Sequence, residues 1–165
     1  MADHRVGKAF RHLAGRLEGI DLSPKMLDRA KARGVYDELH TGDFETILPT
    51  LSHPVDLLLF ADVLIYFDDL SSVIRVSSEK LAPGGIVGFT LELPTTQEQN
   101  SLDRIPGGWK WRLGASGRNA HNPKYVHELA EKQGFRVAES KTLPKLRREA
   151  GETIPGTLMI LEKER

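Results

Sequence analysis

The chain has 165 residues, sets 23 Lys plus Arg against 23 Asp plus Glu, is 39% apolar and contains no cysteine. A single globular domain of this length buries enough surface to need no covalent staples, disulfides and thiolate metal centres are excluded, and zero formal charge gives no broad field to gather nucleic acid or an anionic membrane. No window approaches the roughly 18 to 20 apolar residues of a membrane helix, and Met1 to Arg11 lacks the apolar core of a secretory signal; the expectation is one cytoplasmic domain over residues 1–165, with no membrane or nucleic-acid partner.

In chain order, Arg16 to Leu22 is a short apolar strand candidate. Ser23-Pro24 follows, a cap with proline at the first helical position, so a helix is predicted there with Met26, Leu27 and Ala30 on one face and Gly34 as its stop. Val35 to His40 leads as a strand into the turn Thr41-Gly42-Asp43-Phe44. The run Val55-Asp56-Leu57-Leu58-Leu59-Phe60-Ala61 has the pattern of a parallel strand covered on both faces, with a buried helical segment as the alternative. Leu70, Val73, Ile74, Ser77 and Leu81 repeat at helical spacing, Pro83-Gly84-Gly85 ends that helix, and Ile86 to Leu93 is the next strand. Strand, helix and strand make a parallel crossover.

Asn122-Pro123 signals another helix, with Val126, Leu129 and Ala130 on its apolar face and Gly134 at its end. Phe135 to Thr142 and Gly156 to Leu161 are strands joined by a charged, turn-rich stretch with no helix, which predicts an antiparallel hairpin. Between Leu91 and Gly117, a segment with Trp109 and Trp111 interrupts the alternation. It is either a lid over a bound molecule or an amphipathic hairpin packed on the body.

Four stretches stand in order: Gly19-Ile20-Asp21-Leu22-Ser23-Pro24-Lys25-Met26-Leu27, Gly42-Asp43-Phe44, Phe60-Ala61-Asp62-Val63-Leu64 and Leu81-Ala82-Pro83-Gly84-Gly85. Together they resemble the motifs of class I S-adenosylmethionine-dependent methyltransferases. Ser116 to His121 and Leu146 to Gly151 look like the methyltransferase domains found fused to tetratricopeptide repeats, although the chain holds no such repeat. The resemblance implies an α/β fold, a Rossmann-like, doubly wound and mostly parallel sheet with a C-terminal antiparallel hairpin. It also implies S-adenosylmethionine as cofactor and a small-molecule methyl acceptor.

The family's glycine-rich first motif, Asp-x-Gly-x-Gly-x-Gly, has no counterpart: Met1 to Val6 precede Gly7, and Gly7, Gly15 and Gly19 do not form that loop. The expectation is a domain N-terminally shortened relative to the family, lacking the usual first strand and with reduced cofactor affinity. Open strand edges would favour self-association into a homo-oligomer.

Asp21 ends a strand just before a helix, where a carboxylate either caps local backbone or accepts hydrogen bonds from ribose hydroxyls. The resemblance assigns Asp21 to the ribose, Asp43 to the adenine amino group with Phe44 beside the base, and Leu22 and Met26 to the walls of the adenine pocket. Asp43 reads equally as a turn residue, and Met26 as core. Ala61 and Asp62 lie past the most apolar strand, where ligands bind in open parallel sheets, so Ala61, Asp62 and Tyr66 are candidates to face methyl donor or acceptor; a capping Asp62 and a packed Tyr66 are the alternatives.

Methyl transfer needs a general base only for an acceptor that is protonated at neutral pH. His121 is the candidate base, with Arg118 as an anchor for an anionic acceptor; a surface or capping histidine is the alternative. Arg147, Arg148 and Glu149 read as a solvated charge cluster. His12, His40, His53 and His127 lack metal-ligand spacing along the chain, and no metal is assigned. The rival function is a degenerate methyltransferase-like binding module.

Overall fold

A computed structural model describes residues 4–149 and 151–165. Residues Met1 to Asp3 of the N-terminal segment, and Ala150 beside the charged cluster, lie outside them. In order, the elements are α1 (His4–Phe10), β1 (Glu18–Asp21), α2 (Pro24–Lys31), β2 (Glu38–Thr41), α3 (Phe44–Ile47), β3 (Val55–Phe60), α4 (Ser71–Lys80) and β4 (Leu81–Glu92). They continue with α5 (Thr96–Leu102), β5 (Trp111–Leu113), β6 (Asn119–His121), α6 (Pro123–Lys132), β7 (Phe135–Glu149) and β8 (Glu152–Lys163). The chain forms two compact units, Met1–His53 and Pro54–Arg165. The division follows the strand pairing, because β1 and β2 make a parallel sheet of their own while the other strands share a second sheet.

In the first unit the helix signals act as read. Pro24 opens α2 and Gly34 follows it at φ +64°, with Leu27 and Ala30 buried and Met26 half-buried. Ser23 occupies the cap position, but its side chain makes no cap hydrogen bond. The Ser23 amide instead donates to Asp21 Oδ1 at 2.8 Å, so the carboxylate that ends β1 also shapes the entry to α2.

In the second unit β4 is the spine. On one edge it pairs antiparallel with β8 from Ile86↔Glu162 to Glu92↔Gly156. On the other it pairs parallel with β3, and at its end, through Glu92↔Ala120, with β6. β7 then joins β8, and β5 joins β6, both antiparallel. The α/β class with parallel crossovers and a C-terminal antiparallel hairpin is therefore present.

Helical spacing placed Leu70, Val73, Ile74, Ser77 and Leu81 together, and all are buried. α4 packs on β4 and against α6, whose Tyr125, Val126 and Ala130 are buried. Lys163 of β8 ties this layer to the sheet by donating from Nζ to the carbonyls of Ser78 (2.6 Å) and Leu81 (2.7 Å), satisfying acceptors that the end of α4 leaves open.

Two expectations are corrected. β3 is not covered on both faces: Phe60, Val87 and Phe89 are buried on one face, whereas Leu57, Leu59 and Ile86 are exposed on the other. A leucine run specifies an apolar strand but not what lies over it. The connection before the last strand is not turn-rich either, since β7 runs to Glu149 and Arg147, Arg148 and Glu149 pair in register with Ile154, Thr153 and Glu152. The hairpin is longer because cross-strand hydrogen bonds override the local preference of charged residues.

Gly156 sits where three strands converge. A Cβ there would lie 2.6 Å from the Leu91 carbonyl oxygen and 2.5 Å from Leu146 Cδ2. Gly156→Ala is therefore expected to destabilise the protein by about 1–3 kcal/mol through overpacking, read as a lower urea midpoint at unchanged slope.

Candidate functional site

The parallel register of β1 and β2 pairs Asp21 with Thr41, and the Gly42 amide donates to the Asp21 carbonyl at 3.1 Å. Asp21 and Asp43 thus stand at the same end of the two-stranded sheet, one ending β1 and the other two residues past β2. The Asp21 side chain is buried. Asp43 caps α3, its Oδ1 accepting from the Glu45 amide at 2.8 Å. Beside these carboxylates Leu22 is 69% exposed, unusual for leucine, and Met26 and Phe44 are half-buried. The first unit therefore brings all five of its sequence-predicted residues to one end of a parallel sheet: two oriented carboxylates with an apolar surface next to them.

In the second unit Ala61 and Asp62 follow the carboxyl end of β3. Asp62 is exposed and has φ 53°, the one positive value among the described residues other than glycine. Left-handed backbone at an ordinary residue costs free energy and concentrates at ligand sites. A 3₁₀ turn over Leu64–Tyr66 buries Leu64 and Ile65 and leaves Tyr66 55% exposed. Asp62 and Tyr66 thus present exposed side chains at the strand end.

His121 behaves differently. It lies in β6 at 0% exposure, with Nε2 3.0 Å from the Asp68 carbonyl oxygen. Burial holds the imidazole below the ordinary value of 6.5, against the opposing pull of the Asp68 and Phe67 carbonyls. The ring ties β6 to the loop after the 3₁₀ turn and is fully buried.

Nearby, the Tyr125 hydroxyl donates to Asp69 Oδ1 at 2.7 Å. The phenol is pushed up to about 12, chiefly by burial and further by Asp69. Trp111 lies 6.1 Å from the Tyr125 ring, and Lys110 Nζ sits 5.4 Å over it. Trp109 is buried and β5 and β6 form an antiparallel pair. Residues 109–121 thus follow the packed-hairpin alternative rather than the lid.

Beyond the carboxyl end of β4 lies a cleft of about 250 Å³. Its lining includes Glu92, Glu98, Arg112, Arg118 and Glu152. Arg112 is ion-paired with Glu98, and the buried Glu92 with Arg147 of β7. Arg118 was singled out in the sequence. Glu92 was not, since a glutamate ending a strand looks like a surface residue until its partner strand is known. Chain spacing gave no signal for Glu18 and Glu38 and set His40 and His53 aside as metal ligands, yet the β1–β2 pairing brings Glu18, Glu38 and His40 together, with His53 beside Glu18.

A family model described as "Methyltransferase domain" matches residues 5–89. No curated protein sequence matches the chain. Among solved structures, the chain is similar to a methyltransferase from Methanosarcina mazei described as S-adenosylmethionine-dependent (16% identity, 95% of this chain, 86% of that one, TM-score 0.68). It is also similar to the N-methyltransferase NodS from Bradyrhizobium japonicum WM9 in complex with S-adenosyl-L-homocysteine (21%, 96% and 74%, 0.64). A third is magnesium protoporphyrin IX methyltransferase from Synechocystis PCC 6803 with the same ligand (16%, 94% and 67%, 0.63). At these identities the likeness shows the fold, a Rossmann-like α/β arrangement.

Two outcomes follow from the strand-end geometry. Asp62→Gly should hold or slightly raise stability, whereas Asp62→Val should lose about 1–3 kcal/mol, compared by urea denaturation. Because the folded His121 binds its proton less readily than the unfolded chain, stability falls as pH drops below about 6.5 toward the lower folded value. Thermal melts between neutral pH and about pH 5 should show a shallower decline for His121→Gln than for the natural chain.

Proposed function

Because the chain belongs to the methyltransferase-domain family, we propose that it transfers the methyl group of S-adenosylmethionine to a small-molecule acceptor. The observation that carries this reading is the pair of oriented carboxylates, Asp21 and Asp43, at one end of the β1–β2 sheet beside the exposed Leu22. Asp21, oriented by the Ser23 amide, would accept hydrogen bonds from the ribose hydroxyls. Asp43 would meet the adenine amino group, with Leu22, Met26 and Phe44 supplying apolar surface to the base.

When bound, the sulfonium supplies an already activated methyl group. The chain's work is then to hold the acceptor in line and exclude water. In the second unit, Ala61, Asp62 and Tyr66 are the candidates for contact with donor or acceptor. Arg118, in the lining of the cleft past β4, is the candidate anchor for an anionic acceptor.

One observation favours the rival reading of a cofactor-free binding module. Asp21 and Asp43 each cap neighbouring backbone, a task that aspartate performs without any ligand. Calorimetric titration with S-adenosylhomocysteine separates the two readings. The methyltransferase reading expects heat from the 165-residue chain and at least about tenfold weaker binding by Asp21→Ala, since hydrogen bonds to a charged group contribute about 1.5–3 kcal/mol. No heat at millimolar ligand, from protein shown by circular dichroism to be folded, selects the binding module.

A further inference from the structure

The first unit carries a second cluster of chemistry-bearing side chains, at the opposite end of β1 from Asp21. Parallel pairing sets Glu18 opposite Glu38, and His40, two residues along β2, shares the face of Glu38. His40 Nε2 lies 2.8 Å from Glu18 Oε2 and 4.0 Å from Glu38 Oε1. One potential ligand atom from each of Glu18, Glu38 and His40 falls within 4.8 Å of the others. His53, beyond the 3₁₀ turn Leu48–Thr50, brings its Nε2 to 3.3 Å from Glu18 Oε1.

These separations are near those a metal imposes. Nitrogen and oxygen donors about 2.0–2.2 Å from one tetrahedral ion stand roughly 3.3–3.6 Å apart. The ligand atoms of Glu18, Glu38 and His40, all within 4.8 Å of one another, lie close to that spacing, and His53 Nε2 lies 3.3 Å from Glu18 Oε1.

We propose that Glu18, Glu38 and His40, with His53 as fourth ligand, bind a divalent transition-metal ion of the zinc, cobalt and nickel class. Imidazole donors favour these ions over magnesium and calcium, which take oxygen-only sites. The cation now serving the two glutamates is Arg16, whose Nε lies 2.5 Å from Glu18 Oε1 while its other end pairs with Glu38. Its side chain is 54% exposed, so it can swing into solvent when an ion enters. Glu18 and Asp21 are the first and last residues of β1, roughly 10 Å apart along the strand. The ion therefore does not touch the proposed nucleoside site; it ties β1, β2 and the segment after α3 together.

The test is equilibrium dialysis of the chelator-stripped 165-residue chain against micromolar zinc or cobalt, with Arg16→Gln, His40→Ala and His53→Ala in parallel. The expected result is one ion per chain, with visible cobalt absorption characteristic of imidazole and carboxylate ligation. His40→Ala should weaken binding by more than about tenfold, since even indirect partners of a metal cost that much when removed. Arg16→Gln should tighten it by removing the competing cation. His53 is 42% exposed, so its variant is not at risk of misfolding, and it should show a smaller zinc-induced rise in Tm than the natural chain. The proposal is overturned if the natural chain retains no ion, if His40→Ala and His53→Ala bind as well as it does, or if equimolar magnesium displaces zinc.

Discussion

The hydrogen-bonding demand of β4 governs the second unit. A twelve-residue strand through a protein interior has donors and acceptors on both edges, and leaving them unpaired away from water is costly. β8 takes one edge from Ile86 to Glu92, while β3 and the start of β6 share the other. Val87, Phe89 and Leu91 then point to one buried face over which α4 is laid. The close passage at Gly156, the Lys163 anchor and the burial of His121 all follow from strands brought to β4 at these registers.

The same constraint explains where charge is tolerated inside. Glu92 ends β4 where β6 and β8 both pair with it, so its carboxylate is buried, and Arg147 in the extended part of β7 meets it. Removing one partner from such a pair leaves an uncompensated charge, the costly case for buried ions. The Glu98–Arg112 pair lies in the lining of the cleft beyond β4, where the α5 capping box of Thr95 and Glu98 sets the position of Glu98.

In the first unit the two ends of one short parallel pair carry different chemistry. The carboxyl end holds Asp21 and Asp43, steadied by the amides of Ser23 and Glu45. The other end holds Glu18, Glu38, His40 and His53 around Arg16. Two residues of β1, Gly19 and Ile20, separate a surface suited to a nucleoside from one suited to a cation.

Chain order, helix starts and the position of the strand-end aspartates were determined by the sequence itself, because each depends on neighbours a few residues away. Ser23-Pro24 and Asn122-Pro123 start helices by restricting local backbone, and the period of Leu70, Val73, Ile74, Ser77 and Leu81 marks a face whatever lies opposite. What lies opposite was decided only by tertiary structure. Leu57 and Leu59 are exposed, His121 is buried, the charged stretch before Gly151 continues as strand, and Glu18 meets His40 and His53. Each of these outcomes depends on residues distant in the chain, brought alongside by strand register. Register is set by many weak pairings acting together, so no local pattern records it.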